Sequence, residues 1–116
     1  MKWFRLAAEQ EDAEAQWMLG DCYYFGTGIR EDKQEAVKWY RLAADQGNAE
    51  AQRRLGYCYF WGEGIREDKQ EAVKWYRLAA DQGNAEAQRW LGDCYFFGHG
   101  VEIGRASCRE RVLRLV

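Results

Sequence analysis

Three of the four cysteines and the single histidine lie in the repeats of this chain, and these residue types could carry out nucleophilic chemistry. Cys22, Cys58 and Cys94 follow one another at intervals of 36 residues, and His99 lies five residues after the last of them. A thiol beside an imidazole could act as a nucleophile, because the base generates the reactive thiolate. Cys22 and Cys58 have no histidine nearby, so a small buried hydrophobic residue explains all three cysteines better. We therefore predict that this chain is not an enzyme.

The same residues predict no metal or cofactor site. The sequence contains no CxxC pair and no cluster of His and Cys, which are the usual signs of a zinc site. Cysteines at equivalent positions of stacked helix pairs should lie about 10 Å apart, which is too far for a disulfide. The glycine-rich segments FGTG and FWGEG lack the preceding strand of a phosphate-binding loop.

These cysteines recur because residues 1–101 are built from a 36-residue repeat. Residues 29–53 recur letter for letter at 65–89, and a fixed period of this length is typical of a solenoid. Asn48 can cap a helix over AEAQRRLGYCYFW. The apolar face of this first helix is predicted to contain Ala51, Leu55, Cys58 and Tyr59.

Each unit also contains a predicted second helix. Asp68 can cap it, and Glu71 would complete a capping box. Gly83 stands at the C-terminal position that favours a left-handed residue, and Asn84 can cap the next unit. Its apolar stripe is predicted to contain Ala72, Tyr76, Ala79 and Ala80, flanked by Val73 and Trp75. The predicted fold is therefore an all-α solenoid of antiparallel helix pairs.

A glycine recurs inside each first helix, at Gly20, Gly56 and Gly92. A glycine in a helix costs about 1 kcal/mol relative to alanine, so a packing reason is expected. We predict that these glycines allow close approach of the second helix at its small residues, Ala79 and Ala80.

The recurring pattern AEAQ–LG–Y–G-GI–D–EAV-WY–AA-QG resembles the Sel-one-like repeat family, a relative of the tetratricopeptide repeats. The resemblance covers residues 1–101. It implies a right-handed α-solenoid that serves as a scaffold for protein–protein interactions. On this basis we expect a truncated helix over 1–10, repeats over 12–47 and 48–83, and a partial repeat over 84–101.

Both ends of the chain depart from a complete repeat. MKWFRLAAEQ aligns with VKWYRLAADQ at 37–46, so we expect the N-terminus to be truncated within a unit. Residues 102–112 resemble a translated sequencing adaptor, which favours an artefact over 102–116. The alternative is a capping helix that buries Cys108, Val112 and Leu115. Uncapped solenoid ends also favour self-association.

Composition restricts the partners and the compartment. The net charge is −2, and there is no basic run and no long apolar stretch. This argues against nucleic acid and membrane as partners and favours a protein or peptide. One core cysteine per unit suits a reducing compartment such as the cytoplasm.

Differences between the copies gather late in the first helices and predict a ligand groove. In helix-pair solenoids the first helices commonly line the concave surface, and aromatic residues and arginine are typical of binding hot spots. The groove is predicted to contain Met18, Asp21, Phe25, Arg54, Tyr57, Trp61, Trp90, Asp93 and Phe97.

Two alternatives to this groove remain open. The aromatic residues at 25, 61 and 97 are more typical of packing against the adjacent unit than of a ligand surface. The array as a whole could instead be a spacer or regulatory segment attached to a catalytic domain encoded elsewhere.

Overall fold

The computed structural model describes residues 2–97, with side chains from Arg5 to Cys94. Within this part of the chain every regular element is helical. The second helices of the units are α1 (Lys2–Glu9), α3 (Lys33–Asp45) and α5 (Lys69–Asp81), and the first helices are α2 (Ala13–Phe25), α4 (Ala49–Trp61) and α6 (Ala85–Phe97). The predicted all-α solenoid is confirmed.

The helices pack in chain order, each against the next. The molecule is therefore elongated, with extents of 50 × 25 × 18 Å. Its core is a row of small clusters between neighbouring helices rather than one centre. Tyr40, Tyr76, Leu19 and Leu55 are the largest side chains in these clusters and are almost completely buried. Such an arrangement depends on contacts between neighbouring units.

The predicted helix starts are confirmed, but the capping box is only half formed. Asn48 and Asp68 are N-caps, and the Asp68 carboxylate accepts a hydrogen bond from the Glu71 amide at 3.0 Å. The Asp68 amide donates to the Tyr59 carbonyl at 2.8 Å instead of to Glu71. The Glu71 carboxylate lies 3.6 Å from Lys74 Nζ. The carbonyl of Tyr59, in the last turn of α4, therefore takes the role expected of Glu71.

The helical glycines do allow close packing, but the predicted partners were wrong. A Cβ on Gly56 would lie 2.9 Å from two ring atoms of Tyr76 and 3.3 Å from the Ala72 carbonyl oxygen. Gly20 stands in the same relation to Tyr40. The glycine therefore makes room for a tyrosine ring and a helix backbone, not for Ala79 and Ala80.

A buried glutamine joins each unit to the next, a feature that the sequence analysis missed. The Gln52 amide donates to the Ala44 carbonyl at 3.3 Å, and its oxygen accepts from Gln82 Nε2 at 2.8 Å. Gln16 makes the equivalent bonds one unit earlier, to Ala8 and Gln46. The glutamine thus satisfies a carbonyl at the end of the preceding second helix.

Candidate functional site

Two residues of the predicted groove connect α2 and α4. Arg54 Nε lies 2.9 Å from Asp21 Oδ1, and the guanidinium stands 4.9 Å from the centre of the Trp17 ring. Arg54 Nη2 also lies 3.7 Å from a carboxylate oxygen of Glu50. The arginine is therefore held by charge and by an aromatic face, which leaves its position well defined.

The Asp21 carboxylate lies at the packing interface between α2 and α3. It accepts a hydrogen bond of 2.5 Å from the Tyr40 hydroxyl. Burial raises the pKa of Asp21, and the Tyr40 hydroxyl and the Arg54 guanidinium oppose part of that rise. Burial, together with the hydrogen bond to Asp21, also raises the pKa of Tyr40. The pair links α3 to the variable end of α2.

Three aromatic residues of the predicted groove form a cluster on α4 and α6. The Tyr57 ring centre lies 6.3 Å from that of Trp61 and 6.4 Å from that of Trp90. Trp90 is also stacked on Tyr76, at 6.4 Å and 12° between planes. The structure therefore brings Tyr57, Trp61 and Trp90 together, as helical spacing and unit stacking predict.

The exposure of Phe25 and Trp61 corrects the interpretation of these positions as core. Phe25 is 64% exposed and Trp61 is 52% exposed. Each is the last residue of a first helix. A glycine with positive φ follows and ends the helix. Neither residue is therefore part of the buried core.

Three further residues were predicted in the groove, and they take no part in these contacts between side chains as far as the structure describes them. Met18 is half-buried on α2, and Asp93 is exposed on α6. Phe97 ends α6, and its side chain lies outside the described residues.

A cavity of about 220 Å³ lies between the first two units on this face. It is lined by Tyr24, Phe25, Tyr40, Arg53, Arg54, Tyr57 and Cys58. The Arg53 guanidinium lies 3.0 Å from Glu50 and 2.9 Å from Glu86. The predicted set omitted Tyr24 and Arg53, although both differ between the copies, and that difference was the available signal.

Two of the three repeat cysteines are core residues as predicted, whereas Cys22 is only half-buried. Cys58 and Cys94 are buried, and burial raises their pKa to about 12 and about 11. A thiol that stays protonated at neutral pH is a poor nucleophile. His99 and Cys108 lie outside the described residues.

The described residues form neither a metal-binding cluster nor a membrane-spanning helix. Among the residues with described side chains, no three His, Cys, Asp or Glu are grouped so that they could hold a metal ion. In the same part of the chain, none of the helices is both long and apolar enough to span a bilayer.

The fold and this surface define a helical-repeat solenoid, and comparison with known proteins identifies its kind. The sequence matches the Sel1 repeat family model over residues 1–12, 13–48, 49–84 and 85–103. The chain belongs to the Sel1 repeat family. Sel1 repeats are generally protein–protein interaction modules and are typically non-catalytic. None of the curated proteins compared with the chain matches it.

Several solved structures share the fold. The chain is similar to c5321, a protective antigen of uropathogenic Escherichia coli with an SLR fold, at 46% identity and a TM-score of 0.88. It is similar to a Sel1 repeat protein of Oxalobacter formigenes, at 42% identity and a TM-score of 0.77. It is also similar to cysteine rich protein B of Helicobacter pylori, at 26% identity and a TM-score of 0.74.

The matches cover most of this chain but a smaller part of two of these proteins. They cover 95%, 78% and 78% of this chain, in the same order. The shares of the other chains are 24%, 37% and 68%.

Proposed function

We propose that the chain binds a segment of another protein along the concave face formed by α2, α4 and α6. The observation that carries this proposal is the exposure of Phe25 and Trp61 in the last turns of α2 and α4. The copies differ from each other on the same face, whereas α3 and α5 have identical sequences. A surface that varies while its support stays constant is suited to selecting a partner.

The type of exposed residue separates this face from the opposite one. The second helices also expose large apolar side chains: Leu42 and Leu78 are about half exposed. Binding hot spots are enriched in Trp, Tyr and Arg and contain few leucines. Trp61, Tyr57 and Arg54 on the first helices match that composition.

The contacts of these side chains favour binding at low entropic cost. Arg54 is held between Asp21 and Trp17, and Tyr57 between Trp61 and Trp90. Side chains that are already ordered lose little freedom when a ligand arrives. The side chains that would contact the ligand are therefore ordered before it binds.

Selection from a displayed peptide library on the immobilised chain tests the proposal, with Trp61→Ala as the variant. We expect selected peptides to lose binding to this variant by about tenfold or more, as for a hot-spot residue. Its melting temperature should stay close to that of the parent, because the indole is half exposed.

Leu78→Ala is the matched control, since it removes a side chain of similar exposure from the opposite helix. It should leave binding unchanged. Equal loss in both variants, or unfolding of Trp61→Ala, would contradict the proposal. A selection that returns no peptide would favour the alternative, a spacer or regulatory array attached to a catalytic domain.

A further inference from the structure

The joint between the second and third units shows how an indole fits between two first helices. Trp90 of α6 stacks on Tyr76 at 6.4 Å and lies 6.5 Å from Phe60, between ring centres. Tyr57 meets its edge at 6.4 Å. The indole thus fills the space between α4, α5 and α6.

The joint between the first and second units also contains aromatic rings, but Asp21 stands where the next joint has Tyr57, and the residue at the position of Trp90 differs. Arg54 occupies the position of Trp90, 36 residues earlier, and its side chain turns to Asp21 and Trp17. Tyr24 and Tyr40 correspond to Phe60 and Tyr76. They line the cavity of about 220 Å³ that lies beside Arg54.

We infer that this cavity binds one aromatic side chain, an indole or a phenyl ring, of the protein segment. The inference rests on the proposed function and names the chemistry of the anchor. Pockets for whole small molecules span about 300–1,000 Å³, so this smaller cavity suits a single side chain. Its walls include the rings of Tyr24, Phe25 and Tyr57, which favour edge-to-face contacts with another ring.

The charges around the cavity favour a neutral side chain over an acidic one. Arg54 is already paired with Asp21 and Glu50, and Arg53 with Glu50 and Glu86. A carboxylate that entered would therefore have to compete with carboxylates that both guanidinium groups already contact.

A basic side chain is disfavoured for two reasons. The ammonium of Lys33 stands 5.0 Å from the centre of the Tyr24 ring and is paired with Glu63 at 3.1 Å. The Tyr24 ring is therefore already in contact with a cation of the chain, Lys33. The two arginines at the cavity would also repel a second cation.

Titration of the chain with blocked tripeptides of the form Gly-X-Gly, followed by amide NMR shifts, tests the inference. X is tryptophan, phenylalanine, leucine, aspartate or lysine. We expect tryptophan and phenylalanine to shift the signals of Arg54, Tyr57 and Cys58 at concentrations where the other three do not. Preference for aspartate, lysine or leucine, or no shift with any probe, would overturn the inference.

Arg54→Trp is the decisive variant, because it places in the cavity the residue that fills the next joint. Binding of the tryptophan peptide should fall about tenfold or more, while circular dichroism shows an intact helical fold. Tyr24→Leu removes one wall and should weaken binding without filling the cavity. Arg66→Ala, on an exposed loop residue, is the control. Unchanged binding by folded Arg54→Trp, or by Tyr24→Leu if Arg54→Trp does not fold, would contradict the inference.

The two proposals fail in different ways. Library peptides that bind the parent and Arg54→Trp equally would overturn the cavity assignment and leave segment binding intact. Tripeptide binding without any selected library peptide would support the cavity and count against segment binding along the whole face.

Discussion

At the scale of single residues, one missing side chain determines how closely two helices approach. Gly56 lies under the Tyr76 ring and beside the Ala72 carbonyl, and its equivalent Gly20 lies under Tyr40. Both tyrosines are almost completely buried, so their rings cannot turn away. The loss of helix propensity at these glycines is offset by packing.

Replacing Gly56 with alanine should lower the free energy of unfolding by about 1–3 kcal/mol, the usual cost of overpacking a core. Gly92→Ala is the matched control, because, apart from the adjoining turns of α6 itself, no atom of the described residues lies within 4 Å of a Cβ at that position. It should be neutral or stabilising by up to about 1 kcal/mol through helix propensity. Urea unfolding measures both, and an equal effect of the two substitutions would refute the packing explanation.

The thiols give a second prediction at this scale. Burial raises the pKa of Cys58 to about 12 and that of Cys94 to about 11. Both should therefore react slowly with iodoacetamide at about pH 8, where the thiolate is scarce. Cys22 is only half-buried and should react first. Peptide mapping of a Cys108→Ser variant measures the order. Fast labelling of Cys58 in the folded chain would show that it is not a core residue.

At the scale of helices, a polar joint holds each unit to the next. Gln52 is only 4% exposed, and it bonds both to the end of α3 and to Gln82 after α5. Asn48 and Asn84 add a second connection, to Glu14 and Glu50 at 3.2 and 2.7 Å. The joint thus combines apolar packing with bonds that specify the register of the units.

Gln52→Ala should destabilise the chain by about 1–3 kcal/mol, because it leaves the Ala44 carbonyl and Gln82 without their partner. Gln88 makes the same bond to Ala80 at 3.1 Å but is exposed, so Gln88→Ala should cost about 0.5 kcal/mol or less. Thermal unfolding of the two variants compares them. Equal costs would mean that burial does not determine the strength of the joint.

At the scale of the whole molecule, the first and last described helices are of the two types that pack together inside a unit. The α1 sequence KWFRLAAE nearly repeats KWYRLAAD of α3, and α3 packs on α2 around Gly20. Gly92 of α6 has no such neighbour among the described residues. The α1 helix of a second copy would therefore suit α6, in a head-to-tail contact that does not close.

We predict concentration-dependent self-association by this contact, measured by sedimentation velocity. Gly92→Arg places a long charged side chain where the second copy would approach and should shift the chain to monomer. Lys74→Ala, on an exposed side chain of α5, should leave association unchanged. A parent chain that stays monomeric at every concentration would show that the ends do not match in this way.

Repetition in the sequence determined the elements and the buried stripe of this protein. The 36-residue period, the caps at Asn48 and Asp68 and the glycine at 83 were sufficient to predict helix pairs, because these signals act within a few residues of each other. Helical spacing predicted two apolar faces, and most of their residues are buried: Ala51, Leu55, Cys58, Ala72, Tyr76 and Ala79. Tyr59 and Ala80, predicted on the same faces, are only half-buried. The period also implied stacking, since a single helix pair cannot bury its apolar face alone.

Only the tertiary structure decided which side chains meet across the units. The pairing of Arg54 with Asp21, the exposure of Phe25 and Trp61 and the cavity beside Arg54 depend on how far one unit is displaced and rotated against the next. Spacing along one helix carries no information about that displacement. It is set by contacts between units, such as the hydrogen bond of the Gln52 amide to the Ala44 carbonyl, which form only when complete units pack together.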